Sequence, residues 1–225
     1  MTRRLIKRSK LTNREIGKLI DFFCLEIPAS RAAKVLKINR HSAERIYSHI
    51  RVLIASECEK TSPLTGEVEI DESYFGGKRK GERGRTAASK VPVFGLIKRN
   101  GKVYTRIVPN VTRWTLERII REKVTTDSTI YSDSFTVYDG LVVYGYKHFR
   151  VNHQKNYLTG KNNHINGIEN FWGYAKTRLR KYHGISRKHF YLYLKEMEFR
   201  FNNRNQPDLG STIRKIIKSK KSVLD

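Results

Sequence analysis

The segment 164–180 places acidic, apolar and basic residues at spacings that a helix brings into line. At about 100° per residue, Glu169, Lys176 and Arg180 fall within about 20° of one another on the helix surface. Beside them runs an apolar stripe that would hold the helix against a core, formed by Ile168, Trp172, Ala175 and Leu179. A carboxylate followed by two cations suits a site that binds a metal ion together with a phosphate backbone. A solvated helix edge with ordinary charge pairing fits the same spacing equally well, so the rest of the chain must decide.

The charge balance indicates a polyanionic partner. The 225 residues include 46 Lys+Arg and 21 Asp+Glu, a formal net charge of +25, which is unfavourable by self-repulsion unless a polyanion offsets it. Nucleic acid is the default partner. An anionic membrane surface is the competing partner, but no segment has the apolar continuity to span a bilayer. We therefore expect a DNA partner and no membrane.

Cysteine usage and the N-terminus favour an intracellular protein. Two cysteines, Cys24 and Cys58, exclude a disulfide framework and a four-thiol zinc site. The basic N-terminus is followed by no apolar signal core, because charges interrupt every run.

Residues 1–60 are predicted to form a helix-turn-helix DNA-binding domain. Apolar spacing predicts helices over 11–26, 31–36 and 40–54, with Pro28 after the first helix and Ser30 as the cap of the second. Residues 37–39 form the turn, with Lys37 at a position where such motifs often carry Gly. We expect Arg40, His41 and Arg45 to face outward at the start of the third helix, where base edges are read. A plain three-helix bundle is the alternative.

A second domain is predicted over 64–205, after a linker that contains Pro63 and Gly66. Its predicted strands are 68–75, 91–97, 102–108, 129–133 and 147–151, with a type I′ hairpin turn at Asn100-Gly101. Its predicted helices are 112–124, 135–141, 164–180 and 190–203. This order predicts an α/β fold with an RNase H-like mixed sheet flanked by helices, preceded by the small all-α helix-turn-helix domain. Residues 206–225 are a basic, poorly periodic tail.

Three acids are predicted to converge in this fold. Asp71 lies in the middle of a strand, where acids are disfavoured, and that misfit marks it as a functional candidate. Asp133 ends the 129–133 strand, and Glu169 is carried over both strands by the next long helix. Phosphodiester transfer needs charge stabilisation at the attacking and leaving oxygens, which two divalent ions about 3.5–4 Å apart provide.

Oxygen ligands select Mg²⁺ or Mn²⁺. We expect Asp71 to bridge two ions, while Asp133 and Glu169 hold one each. Lys176 and Arg180 would contact phosphates and align the strand for in-line attack. The glycine-rich basic loop after the first strand, with Lys78, Arg79 and Lys80, is predicted to contact DNA phosphates; a merely solvated loop is the alternative.

Four motifs stand out in this chain: Asp71-Glu-Ser-Tyr-Phe-Gly-Gly-Lys, Tyr131-Ser-Asp133, His164-Ile-Asn-Gly-Ile-Glu169-Asn-Phe-Trp-Gly-Tyr-Ala-Lys176 and Glu198-Phe-Arg-Phe-Asn-Asn-Arg204. Together they resemble the DDE transposases, in particular the ISXO-like group of bacterial insertion sequences, to which Merlin-type elements are also similar. The resemblance covers residues 64–205, and the spacing of seven residues from Glu169 to Lys176 is among its more specific marks.

The resemblance implies metal-dependent cleavage at transposon ends, followed by joining of the freed 3′-hydroxyls to target DNA, with Lys176 in a catalytic role. It implies terminal inverted repeats and target DNA as partners, and a homo-oligomer that holds two ends. The expected location is the bacterial cytoplasm (nucleoid), or the nucleus in a eukaryotic host. The third acid of this family is sometimes Asn, so Asn166 competes with Glu169. We favour Glu169, because Asn is a poor ligand for a compact dication.

Other functions remain open at this point. A domesticated DNA-binding regulator would keep the fold without catalysis, but the three acids argue against it. A plain nuclease, such as a junction resolvase, would need no sequence-reading domain. The related family often carries a Cys-rich zinc ribbon that this chain lacks, so the helix-turn-helix is the module left to recognise the terminal repeats.

Overall fold

The computed structural model describes residue 6 and residues 9–60, 62–76, 90–151, 164–182 and 184–221. It divides into two compact units, Met1–Lys60 with Asn203–Asp225, and Thr61–Asn202. Among the described helices, none combines the length and apolar character needed to cross a lipid bilayer.

The first unit is all-helical. Its helices are α1 (Asn13–Cys24), α2 (Ala29–Leu36), α3 (Arg40–Cys58) and α7 (Leu209–Lys221). Helix α1 begins with a capping box, in which Thr12 and Glu15 exchange hydrogen bonds. The buried apolar side chains of this unit include Ile16, Leu19, Ile20, Phe23, Ala33, Ala43, Ile46, Ile50, Ile54, Ile213 and Ile217.

The connection from α2 to α3 is a tight turn through Lys37. This residue has φ 53° and ψ 39°, the left-handed conformation that glycine adopts at lower energy. The side chain of Asn39 then caps α3 by accepting from His41 N. The predicted cap at Ser30 is wrong, because α2 begins at Ala29 and has no side-chain cap.

Part of the predicted basic tail is an ordered helix. Helix α7 packs against α1 and α3, and Ile213, Ile216 and Ile217 are buried. Their spacing of three and four residues is that of an amphipathic helix. Asp21 and Arg214 form an ion pair between α1 and α7. The expectation of a poorly periodic tail is therefore wrong for Leu209–Lys221.

The second unit is built on a five-stranded mixed sheet of order β3-β2-β1-β4-β5. The strands are β1 (Glu67–Phe75), β2 (Val91–Lys98), β3 (Val103–Ile107), β4 (Thr129–Ser132) and β5 (Lys147–Arg150). Strands β1, β2 and β3 pair antiparallel, whereas β4 pairs parallel with β1 and β5. This is the RNase H-like arrangement, so the predicted fold class is confirmed.

Helices cover both faces of this sheet. They are α4 (Arg113–Lys123), α5 (Asn166–Arg180) and α6 (Arg187–Asn202). One core cluster joins α4 to Val68, Ile70 and Ile130 of the central strands. The other joins α5 and α6 to the opposite face, where Phe75, Val93 and Tyr131 lie. The predicted helix over 135–141 is two 3-10 turns, Thr136–Tyr138 and Leu141–Tyr144.

The β2–β3 hairpin differs from the predicted type I′ turn. That turn needs two residues with positive φ, but in this hairpin only Asn100 has one, at 55°. Lys98 and Lys102 close the loop through Lys98 N donating to Lys102 O at 3.0 Å. Arg99 is thereby placed beside β1, and its N–H donates to Glu67 O at 2.9 Å.

Side chains of α6 cover the outer edge of β3. Asn202 pairs with both the N–H and the C=O of Val103 at 2.8 Å. Two residues further on, Thr105 donates its N–H to Glu198 and accepts from Lys195 Nζ, each at 2.8 Å. The helix thus satisfies backbone groups that an edge strand otherwise exposes for pairing with another chain.

We expect Asn202→Ala to loosen β3. The substitution leaves the N–H and C=O of Val103 unpaired, at a cost of about 1–3 kcal/mol. Amide hydrogen exchange in 103–107 should then accelerate about tenfold or more, since about 1.4 kcal/mol corresponds to a factor of ten. The exposed Lys188 on the same helix provides a control, Lys188→Ala. Equal exchange in the two variants would contradict a role for Asn202 at this edge.

Candidate active site

Asp71 and Asp133 come from neighbouring parallel strands at matching positions. The β1–β4 pairing runs in register as far as Glu69 opposite Tyr131. Asp71 and Asp133 each follow two positions later, so their side chains leave on the same face. Adjacent strands lie about 4.8 Å apart. The two carboxylates therefore come close together at the carboxyl end of this strand pair.

The pKa of Asp71 is raised in these surroundings. Burial, together with the negative charges of Glu72 and Asp133, raises the pKa of Asp71 to about 7. The indole Nε1 of Trp172 donates a hydrogen bond to Asp71 Oδ2 at 3.0 Å, which favours the carboxylate and opposes the shift. Asp71 is thus an acid that holds its charge with difficulty near neutral pH.

Trp172 reaches Asp71 because the neighbouring strand leaves room for its ring. Gly95 of β2 lies opposite Asp71 in the sheet. A Cβ at Gly95 would stand 2.5 Å from Trp172 Cζ2, so any larger residue would displace the indole. Trp172 is 4% exposed, which confirms that it belongs to the core. Its hydrogen bond to Asp71 is a further contact that the sequence did not reveal.

Asp133 occupies a turn directly after β4. Its Oδ1 accepts from Phe135 N at 3.0 Å, so the turn orients the carboxylate. The following 3-10 turn is fixed to β1 by Tyr138, whose hydroxyl donates to Glu72 Oε2 at 2.8 Å. Glu72 and Tyr138 were missed by sequence reasoning. The adjacent acids of β1 were the available signal, because two consecutive carboxylates in a strand must face opposite sides.

Helix α5 presents its predicted functional residues to solvent. Glu169 lies in the first turn of the helix, and Glu169, Lys176 and Arg180 are all exposed. Lys176 Nζ lies 5.7 Å from the centre of the Phe75 ring. Lys176 and Arg180 line a cleft of about 480 Å³, together with Phe75 and Phe190. The two cations are therefore positioned beyond the carboxyl end of β1.

The donor set can be compared with the requirements of a metal ion. Within the described parts of the chain, no group of three or more His, Cys, Asp or Glu side chains is close enough to hold a metal. The Asp71–Asp133 pair supplies two oxygen ligands, and the raised pKa of Asp71 marks negative charge that a dication would offset. The pair could provide two ligands of a hard-cation site, and Glu169 does not join it in a cluster of three among the described residues.

The buried acids elsewhere in this unit provide a useful contrast. Four of the described ones have a basic partner in the chain: Glu69 with Arg99, Glu117 with Arg113, Glu196 with Arg200 and Glu198 with Lys195. The buried Glu72 instead accepts from the Tyr138 hydroxyl. Among the residues that the structure describes, neither Asp71 nor Asp133 forms an ion pair. The positive charge that these two acids lack would have to come from outside the described structure.

Apart from Lys176 and Arg180 of α5, the predicted DNA-contacting residues fall into two groups. Lys78, Arg79 and Lys80 lie outside the described residues. Arg40, His41 and Arg45 belong to the first unit and are exposed at the start of α3.

Glu44 engages two of these three side chains. It accepts from Arg40 Nε at 2.7 Å, and His41 Nδ1 lies 3.5 Å from Glu44 Oε2. Arg40 lowers the pKa of Glu44. Arg45 makes no ion pair within the described part of the chain, so its charge is the more available one for a ligand.

Two comparisons with known proteins point to the same kind of protein. Residues 63–202 match the family model described as the ISXO2-like transposase domain. The chain is 50% identical, over 117 residues, to an uncharacterized transposase-like protein of Haemophilus influenzae; the alignment covers 52% of this chain and 94% of that protein.

Two solved structures are more distant. A pre-cleavage Mos1 transpososome is 12% identical at a TM-score of 0.29, with 89% of this chain and 77% of that chain covered. The Mos1 transposase paired-end complex with the left transposon end is also 12% identical, at a TM-score of 0.30, with coverage of 95% and 81%. At these TM-scores the likeness carries no argument about this chain.

The raised pKa of Asp71 predicts a pH-dependent stability. The ordinary value is 3.8 and the folded value is about 7, so the folded chain binds this proton more tightly and loses stability as the pH rises between them. Asp71→Asn removes the charge while keeping an acceptor for Trp172. Without metal at about pH 8, we expect the variant's free energy of unfolding to exceed that of the native chain by up to about 4 kcal/mol.

Denaturation of both proteins across this pH range checks the prediction, and the difference should disappear below about pH 4. The control is Asp127→Asn, which removes an exposed acid just before β4 and should bring no gain in stability. If the difference in free energy of unfolding between Asp71→Asn and the native chain were the same at both ends of this pH range, Asp71 would not be destabilised by its surroundings.

Proposed function

Because this chain belongs to the ISXO2-like transposase family, we propose that it catalyses metal-dependent cleavage at transposon ends and strand transfer into target DNA. The observation that supports this most directly is the pair of acids Asp71 and Asp133, which come from neighbouring strands and form no ion pair among the residues that the structure describes. Phosphodiester chemistry needs such a pair as ligands for divalent ions. A regulator that only binds DNA has no use for two mutually repelling carboxylates.

Asp71 and Asp133 would hold Mg²⁺ or Mn²⁺, in a site for two ions with Asp71 shared between them. When bound, the ions supply charge stabilisation at the attacking and leaving oxygens of the phosphodiester. Trp172 orients Asp71 through its indole N–H. Lys176 and Arg180, exposed along α5, bind the phosphates of the strand that reacts and align it.

The position of Trp172 favours Glu169 over Asn166 as the third ligand. Glu169 lies three residues before Trp172, about 60° around the helix and about 4.5 Å along it. Asn166 lies six residues before, about 120° around and about 9 Å along. Since Trp172 faces Asp71, Glu169 has the shorter path to the Asp71–Asp133 pair. A small movement of α5 or the arrival of ions would complete the set of three acids.

The proposed partners are the terminal inverted repeats and target DNA. The first unit, with Arg40, His41 and Arg45 at the start of α3, would read the repeats as a helix-turn-helix. Lys78, Arg79 and Lys80, which follow β1 in the sequence, would add phosphate contacts. Two ends must be held together before joining, so we propose a homo-oligomer on DNA.

Loss of either paired acid should abolish the chemistry. The assay is nicking and strand joining of a supercoiled plasmid that carries the gene's flanking DNA, with Mg²⁺ or Mn²⁺. A metal supplies several kcal/mol of transition-state stabilisation, so Asp71→Asn and Asp133→Asn should each lower the rate by about a thousandfold or more. The exposed acid variant Asp127→Asn should keep the native rate.

Strand joining that requires metal and both acids would establish the transposase. Nicking without any joining would instead favour a plain nuclease. Metal-independent activity, or equal rates in Asp71→Asn and Asp127→Asn, would rule out the proposed role of the acids, and tight DNA binding without chemistry would favour a regulator.

The ion pair between Arg40 and Glu44 in α3 predicts that Arg40 and Arg45 contribute unequally to DNA binding. Arg45→Ala should reduce affinity for the repeat DNA and lower the salt dependence by about one phosphate contact. Arg40→Ala should have a smaller effect, because Arg40 is already bound to Glu44. Glu44→Gln should strengthen binding by releasing Arg40. Fluorescence anisotropy with labelled repeat DNA across a salt series measures all three, and the reverse order of Arg40 and Arg45 would contradict the assignment.

A further inference from the structure

A polar cluster around Arg99 lies next to the paired acids on the α5 side of the sheet. The guanidinium donates from Nε to Glu69 Oε1 and from Nη1 to Glu67 Oε1, each at 3.1 Å. Its Nη2 donates to the backbone carbonyl of His164 at 2.7 Å. The guanidinium carbon lies 3.7 Å from the centre of the Tyr131 ring. One side chain, 12% exposed, thus joins β1, β4 and the segment that enters α5.

Two of these partners stand beside the paired acids. Glu69 precedes Asp71 by two residues in β1, and Tyr131 precedes Asp133 by two residues along the neighbouring strand. Glu69 and Tyr131 are also opposite each other in the β1–β4 pairing. Arg99 therefore bridges the two strands one step before the site, on the face from which both carboxylates project.

Glu69 also connects the cluster to the helix that carries Glu169. Glu69 Oε2 accepts the N–H of Ile168 at 3.0 Å, in the first turn of α5. The approach is close, because a Cβ at Gly167 would lie 2.8 Å from the same oxygen. Glu69 is 1% exposed, and a buried carboxylate is tolerated only with a charged partner, which Arg99 provides.

We propose that Arg99 is a positioning residue for the reaction proposed above, acting on Asp71, Asp133 and Glu169 through Glu69 and Tyr131. It need touch neither metal nor DNA. Arginine suits this task because its planar guanidinium donates in several fixed directions while one face stacks on an aromatic ring, and the lysine ammonium does neither. Without Arg99 the His164 carbonyl loses its donor and Glu69 loses its charged partner. The first turn of α5 is then held less firmly to the strand pair, and the position of Glu169 relative to the other two acids is less well fixed.

The test compares two matched variants, Arg99→Lys and Arg106→Lys. Arg106 of β3 has similar partners away from the acids: it donates to Glu122 at 2.7 and 2.8 Å and lies 5.4 Å from the Tyr104 ring. Two quantities are measured, the Mn²⁺ affinity of the DNA-free protein by electron paramagnetic resonance, and the Mn²⁺ concentration for half-maximal plasmid nicking. DNA affinity without metal is the reference.

We expect Arg99→Lys to weaken Mn²⁺ binding and raise the half-activating concentration by about 10- to 100-fold, the range found when residues behind metal ligands are changed. Metal-free DNA affinity should stay within about twofold, and Arg106→Lys should match the native protein in all three measurements. A general loss of structure would lower DNA affinity as well, so the selective change in metal dependence identifies positioning.

Three outcomes overturn the proposal or separate it from the proposed function. Native metal dependence in Arg99→Lys overturns it. Should that variant fail to fold, Glu69→Gln decides: it keeps an acceptor for Ile168 N–H but loses the charge, and an unchanged Mn²⁺ affinity would again overturn the proposal. This inference rests on the proposed function, and an absence of nicking by the native protein would refute that function directly, whichever variant is compared.

Discussion

The burial of the Asp71 carboxylate among like charges is the constraint to which much of the second unit responds. Burial removes water that would screen its charge, and Glu72 and Asp133 add negative charge beside it. Asp71 and Asp133 lie at the carboxyl end of the central parallel strands. Such a pair is unfavourable in an empty site and persists only where the surroundings fix it. The surroundings here do so on both faces: Trp172 binds Asp71 from one side, and Tyr138 binds Glu72 from the other.

Core packing and site geometry are carried by the same side chains. Trp172 belongs to the apolar cluster between the sheet and helices α5 and α6, and it also donates to Asp71. The indole ring can make both contacts because Gly95, in the adjacent strand, has no side chain that would occupy its place. A substitution that repacks this cluster would therefore move the Asp71 carboxylate, even without touching it. Under the proposed function, stability and activity would then change together at this interface.

The sequence predicts the positions of Asp71 and Asp133 better than it predicts the residues that surround and orient them. Asp71 was found because a carboxylate in mid-strand breaks a local rule, and Asp133 because it ends a short apolar strand. Glu69 gave no such signal, since alternating polar residues in β1 look the same whether water or a helix covers that face. Its contact with Ile168 joins residues 99 positions apart. Arg99 was hidden within a hairpin turn whose type was predicted wrongly.

Ion pairing distinguishes three buried glutamates of this unit from Asp71 and Asp133. A chain with 46 Lys+Arg and 21 Asp+Glu has ample cations for its own carboxylates. Glu69, Glu196 and Glu198 are buried and each receives one. Within the described structure Asp71 and Asp133 do not, and Asp71 near neutral pH is instead divided between its charged and protonated forms. Under the proposed function a proton and a dication would compete for this carboxylate, so metal binding there would release protons and strengthen as the pH rises. Asp71 and Asp133 are half-buried acids without an ion pair among the described residues, and the proposed chemistry uses both as metal ligands.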